Sequence, residues 1–248
     1  MIFLTNDDGV HASGIRYLAR TLLTLDDVFI VAPDRERSGV GMAITLSRPL
    51  RAKALEPKVI AVDGTPVDCV DLALGALLPE RPRLLVAGIN HGENVGHDVH
   101  FSGTVAAARK GTFLGVPSIA MSLRHGSEWH FDTACEIARL VVKTALQFTI
   151  PDGVLLNVNV PNVPFGEVRG IRITRQDSAP YDTRVETRYD KAGVPYYWIG
   201  GKRLDTPDRD DTDFVATLEN YVSITPLHAD MTDYDAVNAL YGWHLATE

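Results

Sequence analysis

Through its first two-thirds the sequence alternates short apolar runs with stretches of helical spacing, and this leaves few folds open. Met1-Ile2-Phe3-Leu4 reads as a buried strand. Ile15, Leu18, Ala19, Leu22 and Leu23 then recur at helical intervals, and Val28-Phe29-Ile30-Val31-Ala32 is a second strand, stopped by Pro33. Residues 44–55 and 59–63 read as an extended hairpin inserted into the pattern. Thr65-Pro66-Val67-Asp68 opens a helix: Thr65 can cap it, Pro66 suits its first turn, and Asp68 completes a variant capping box. Strands over 84–87, 116–121 and 154–160 follow, separated by helices over 102–113 and 133–148. The alternation predicts an α/β fold with a mainly parallel sheet covered on both faces.

The last third departs from this rhythm. Residues 166–203 carry strand-like, charged and aromatic stretches; an acidic run over 205–213, a helix, a strand over 221–225 and a terminal helix over 233–240 follow. The expected division is an α/β core over 1–165 and a C-terminal extension over 166–248 packed on it. The segment from 181 to 197 is too long for a tight hairpin and too short for a domain. That suits an arm exchanged with a second subunit.

Composition removes several function classes. A net charge of -8 disfavours nonspecific binding to nucleic-acid duplexes or anionic membranes. No run approaches the ~20 apolar residues that span a bilayer. The N-terminus has no basic leader or cleavage pattern, and it reads at once as a core strand. Cys69 and Cys135 each lie in an apolar, helix-like stretch, so both are expected as buried free thiols. A cytoplasmic location is the expectation.

The chemistry is written at the strand ends. The first strand runs into Thr5-Asn6-Asp7-Asp8-Gly9, and ligands of parallel sheets bind at that carboxyl edge. Two adjacent acids there repel each other, and a hard divalent cation that takes carboxylate oxygens answers the repulsion. On a regular strand Asp7 and Asp8 point to opposite faces; Gly9 can take the positive φ that turns both toward one ion. An Asx-turn followed by an exposed acid is the plainer alternative. After the second strand comes Pro33-Asp34-Arg35-Glu36-Arg37-Ser38-Gly39, and after the strand at 84 comes Gly88-Ile89-Asn90-His91-Gly92-Glu93-Asn94-Val95-Gly96. Ser102-Gly103-Thr104 opens a helix, where free amides and the helix dipole favour phosphate. Taken singly, Ser102 is equally well a plain cap, Ser38 a turn hydroxyl and Asn90 a turn residue. Four such loops at one sheet edge point to a shared ligand.

These motifs resemble the SurE family, stationary-phase survival proteins that act as metal-dependent nucleoside monophosphate phosphatases. The resemblance rests on TNDDG at 5–9, APDRERSG at 32–39, GTPVDCV at 64–70, GIN at 88–90 through Asn94, SGTVAAA at 102–108 and YVSITPL at 221–227. It implies a Rossmann-like three-layer sheet with a C-terminal hairpin arm, and a homodimer or homotetramer joined through that arm. It implies one divalent cation, Mg2+ or Mn2+, held by Asp7, Asp8, Ser38 and Asn90, with Asp7 and Asp8 as the catalytic carboxylates. Ser38, Gly39, Asn94, Ser102, Gly103 and Thr104 would surround the phosphate. The implied substrates are nucleoside 5'-monophosphates, with 3'-monophosphates and polyphosphate as further ones. Whether Asp8 also takes a proton from the attacking water is open.

His91, His97 and His100 lie in or beside the active loop and are candidates to protonate the leaving alkoxide; His11 is a further candidate to line the site. Arg35 and Arg37 could contact phosphate or simply belong to an exposed charged loop. A phosphoacceptor receiver domain also carries an acidic pair after its first strand, but it needs an aspartate after its third strand and a lysine after its last core strand. The comparable turns here read Gly88-Ile89-Asn90 and Pro161-Asn162. An aspartyl-nucleophile phosphatase prefers acids separated by one residue. A non-catalytic sensor binding metal and nucleotide phosphate remains the alternative of a different class.

Overall fold

The computed structural model describes residues 1–179, 181–203 and 209–243. Strand β1 (Ile2–Thr5) lies at the centre of the main sheet, with Ile2, Phe3 and Leu4 fully buried. Burial on this scale contributes about 1.5–3 kcal/mol per side chain. Helix α1 (Ser13–Leu22) buries Ile15, Leu18, Ala19 and Leu22, and β2 (Val28–Pro33) returns parallel to β1. The inserted hairpin is shorter than expected: only β3 (Ala52–Glu56) and β4 (Val59–Val62) pair, and residues 42–51 form no strand. Helix α2 (Pro66–Leu72) starts on the expected capping box, with Thr65 Oγ1 accepting from Asp68 N at 3.1 Å and Asp68 Oδ2 accepting from Thr65 N at 2.8 Å.

Strand β5 (Leu84–His91) runs on through the expected loop, followed by α3 (Gly103–Phe113), β6 (Ser118–Leu123), α4 (Phe131–Gln147) and β7 (Val154–Val160). Beyond residue 165 two further strands, β8 (Gly170–Ile173) and β11 (Tyr221–His228), extend the main sheet past β7. The nine strands lie in the order β3-β4-β2-β1-β5-β6-β7-β11-β8. Pairing is parallel except between β3 and β4 and between β7 and β11. One core packs α1 and α4 on one face and a second packs α2 and α3 on the other, which makes the three layers.

Strands β9 (Tyr181–Tyr189) and β10 (Pro195–Arg203) form a separate antiparallel sheet. The segment read as too long for a tight hairpin is in fact one, closed over 190–194. There Asp190 Oδ1 accepts from Ala192 N and Val194 N at 2.8 and 2.9 Å. Helices α5 (Asp213–Leu218) and α6 (Tyr234–Leu240) are the last helices among the described residues. The expected acidic run is described only from residue 209 onward; 205–208 lie outside the described residues. Cys69 and Cys135 are free and buried. Among the described residues no helix is long and apolar enough to cross a membrane.

Candidate functional site

From β1 the chain turns one way to β2 and later returns to β5 on the other side. The switch point of the sheet therefore lies between β1 and β5, the place where a crevice opens beyond the strand ends. The loops there are stitched together by backbone. Arg37 N donates to Asp7 O at 2.7 Å, and Val10 N donates to Pro33 O at 2.8 Å. Gly9 does take positive φ, +97°, and a Cβ there would lie 3.0 Å from the Arg35 carbonyl carbon. Only glycine suits both demands.

A cleft of about 270 Å³ opens at this edge and brings together Asp7, Ser38, Gly39, Asn90, Asn94 and Ser102. His91, Gly92, Glu93, Asp98 and Phe101 complete its walls. A larger apolar groove of about 450 Å³ runs between α4 and the β8 edge, but no charged residue lines it. The chemistry therefore sits in the smaller cleft.

Asp7 is 3% exposed, and its Oδ1 accepts from the Thr104 hydroxyl. Burial raises its pKa from the ordinary 3.8 to about 6; the Thr104 bond opposes that rise and the Asp8 charge adds to it. Asp8 does not line the cleft directly. Its Oδ2 lies 3.0 Å from His91 Nδ1 and 3.3 Å from the His91 backbone N–H. The hydrogen bond to Asp8, reinforced by the Asp8 charge, raises the pKa of His91. That ring packs edge-on against Trp129 and Phe131 at centroid distances of 5.1 and 5.0 Å.

Asn90 sits where the β5–β6 ladder shifts by one residue, between Gly88 and Asn90. Such a bulge re-aims the side chain that follows it. Its Nδ2 donates to Gly92 O at 2.8 Å, and no donor to its side-chain oxygen is found among the described residues. Ser38 Oγ donates to Glu36 Oε1 at 2.9 Å and keeps acceptor capacity. Asn94 is anchored by its backbone: its N–H donates to Asn159 Oδ1 at 2.8 Å, and its carbonyl accepts from Asn157 Nδ2 and Asn159 Nδ2. Ser102 caps α3, accepting from Val105 N at 3.1 Å, which leaves the amides of Gly103 and Thr104 without intrahelical acceptors. Gly103 is pressed against the acid: a Cβ there would lie 2.8 Å from Asp7 Cβ and 2.9 Å from Asp7 Oδ2.

The other candidates lie elsewhere. Arg35 and Arg37 pair with Asp34 at 3.5 and 3.8 Å, and Arg37 also donates to Asp63 O. Of the four histidines considered, His91 alone lines the cleft; His11, His97 and His100 are exposed. Asp98, Phe101, Trp129 and Phe131 had not been singled out in the sequence. Asp98 and Phe101 could have been found by their place in the loop before Ser102. Trp129 carries no local signal of its own.

The walls of the cleft test whether a cation fits. Among the described residues they carry three acids, Asp7, Glu93 and Asp98, and no lysine or arginine. A phosphate dianion would meet this negative charge with only His91 to offset it, whereas a hard cation suits the carboxylate, hydroxyl and amide oxygens present. Among the described residues no three His, Cys, Asp or Glu side chains form a metal cage, so neutral oxygens such as those of Ser38 and Asn90 must complete any such site. The donor set, all oxygen, would fit a hard divalent cation.

The chain is similar to known proteins over nearly its whole length. The family model described as survival protein SurE matches residues 2–183. A 5'-nucleotidase SurE of Pelobacter propionicus is 47% identical over 98% of both chains. One from Coxiella burnetii is 43% identical, covering 98% of this chain and 94% of its own. The crystal structure of the SurE protein from Aquifex aeolicus superposes with a TM-score of 0.88 at 40% identity, covering 97% of this chain and 98% of that one.

Proposed function

Because the chain belongs to the SurE family, we propose that it is a 5'-nucleotidase that hydrolyses nucleoside 5'-monophosphates to nucleoside and phosphate with one divalent cation, Mg2+ or Mn2+. One observation carries the reading: a cleft lined by acids, with no lysine or arginine among the described residues, opens beside Ser102, the cap of a helix N-terminus. Such a site takes a hard cation and, beside it, a phosphoryl group.

Asp7, Asp8, Ser38 and Asn90 would hold the ion, which when bound polarises the phosphoryl oxygens and lowers the pKa of a water. Thr104 orients Asp7 through its hydroxyl, and His91 fixes one oxygen of Asp8. The amides of Gly103 and Thr104, with Ser38, Gly39, Asn94 and Ser102, would stabilise the charge gathering on the equatorial oxygens. Hydrolysis of 3'-monophosphates and polyphosphate belongs to the same proposal, since the chemistry addresses the phosphoryl group and not the ester.

The proposal extends to a homodimer or homotetramer joined through the β9–β10 hairpin, and to a cytoplasmic location. Exposed apolar surface supports the first: Trp198 and Ile199 are 60% and 81% exposed. Two unpaired cysteines fit the second.

Phosphate release from a nucleoside monophosphate by purified protein, with Mg2+ or Mn2+ and with chelator, tests the activity. Cation-dependent turnover is expected. Tight nucleotide binding with no phosphate release would favour the non-catalytic sensor.

A further inference from the structure

The loop that carries Asn94, Asp98, Phe101 and Ser102 to the cleft is hung from distant parts of the chain. Its first anchor, β7, is a core strand. Its second lies at the root of the hairpin. Gly96 N donates to Asp213 Oδ2 at 3.0 Å, and Gly96 O accepts from Gln176 Nε2 at 2.9 Å, so both backbone groups of this residue bond to the C-terminal segment.

Asp213 is fully buried, and a carboxylate so placed is tolerated only when hydrogen bonds surround it. Asp177 N and Phe214 N donate to its Oδ1 at 3.0 and 2.8 Å, while Oδ2 takes Gly96. Around it the two ends of the arm are joined. Arg175 N donates to Asp211 O at 3.0 Å, and Asp213 N donates to Arg175 O at 2.8 Å. The chain leaves for β9 just after 179 and comes back by 209–213. One carboxylate thus fastens the outgoing chain, the returning chain and the loop of the cleft.

We propose that Asp213 and Gln176 are positioning residues for the reaction, fixing Gly96 and through it the phosphate-facing groups of residues 94–102. The proposal rests on the reading of the cleft as a phosphate-ester site. It makes the root of the arm part of the catalytic apparatus, though neither residue touches substrate.

Asp213→Asn is selective. With its oxygen kept on the two donors from Asp177 and Phe214, its new NH2 faces the Gly96 N–H, and donor meets donor. Gln176→Met removes the bond to Gly96 O at similar length. Thr212→Ala serves as control: it weakens the cap of α5, where Val215 N donates to Thr212 Oγ1 at 3.4 Å, without touching Gly96.

Three readouts decide. Loss of one such bond is expected to raise the KM for nucleoside monophosphate and the inhibition constant of inorganic phosphate about five- to tenfold in both variants, with kcat changed less than about twofold. Hydrogen exchange of the 94–102 amides, measured with no substrate present, should quicken in Gln176→Met and not in Thr212→Ala. Thr212→Ala should lower the melting temperature and leave KM alone. Unchanged KM and phosphate inhibition in Gln176→Met overturns the proposal, as does a Thr212→Ala effect on KM of the same size. If Asp213→Asn fails to fold, Gln176→Met and the exchange data decide alone. Wild-type protein that phosphate does not inhibit overturns the reading of the cleft and this proposal with it. Normal wild-type inhibition, unaltered in the variants, overturns the proposal alone.

Discussion

At the carboxyl edge of the main sheet Asn94 has its N–H, its carbonyl and its side-chain amide all bonded within the chain, while in the hairpin Tyr189, Trp198 and Ile199 are 67%, 60% and 81% exposed. The two regions differ in what completes them. The cleft draws on the loops after β1, β2 and β5 and on the start of α3. The hairpin pairs with nothing but itself among the described residues, and a two-stranded sheet alone is marginally stable in water. Its exposed apolar side chains fit the proposed assembly. The cleft is therefore expected to answer to single substitutions and the hairpin to subunit concentration.

The largest effect expected is at Asp7 and Asp8. Asp7→Asn or Asp8→Asn keeps shape and removes charge, so turnover should fall at least about a hundredfold while light scattering reports an unchanged assembly. Near-wild-type hydrolysis at limiting metal would break the assignment.

Next comes stability without metal. Burial, aided by the Asp8 charge, holds Asp7 protonated up to about pH 6, so its contribution is complete below about 3.8 and is lost as pH rises through 6. At ~1.4 kcal/mol for each pH unit, the wild-type fold in chelator should lose about 3 kcal/mol between pH 4 and 7 from this group. Urea unfolding across that range measures it. Asp7→Asn should flatten the profile, and an equal slope in the variant would contradict the account.

Gly103→Val drives a side chain into Asp7. Inhibition by inorganic phosphate should weaken by about tenfold or more, with the hairpin's assembly intact. Unchanged inhibition would count against the anion site at the start of α3.

Removing residues 181–203 tests the other side of the comparison. Light scattering should show a smaller, less stable species. Turnover per chain should stay within about twofold, because Gln176 and Asp213 remain. A monomer for the intact chain at micromolar concentration would end the assembly proposal.

What the sequence disclosed follows from how local each signal is. The capping box of α2, the apolar run of β7 and the two acids after β1 are contiguous, and each was legible. Residues 88–91 were read as a loop because glycine and asparagine mark turns; in the fold they continue β5 through a bulge, a matter of register with β6 that no single segment records. The hairpin arm is expected from the sequence, but its close connection over 190–194, set by Asp190 side-chain bonds, is not. The contacts of Asp213 with Gly96 and of Thr104 with Asp7 join residues 117 and 97 apart in sequence, so their roles emerge only once the sheet is assembled. Trp129, packed on His91, is hidden for the same reason.

The proposed divalent-cation site at the edge of the sheet beyond β1 and β5 is built on Asp7. Manganese titrated into metal-free protein and followed by electron paramagnetic resonance tests it directly. One tightly held ion per chain is predicted for the wild type, with Asp7→Asn binding at least about a hundredfold more weakly. Equal binding by the two proteins, or none by the wild type, would contradict it.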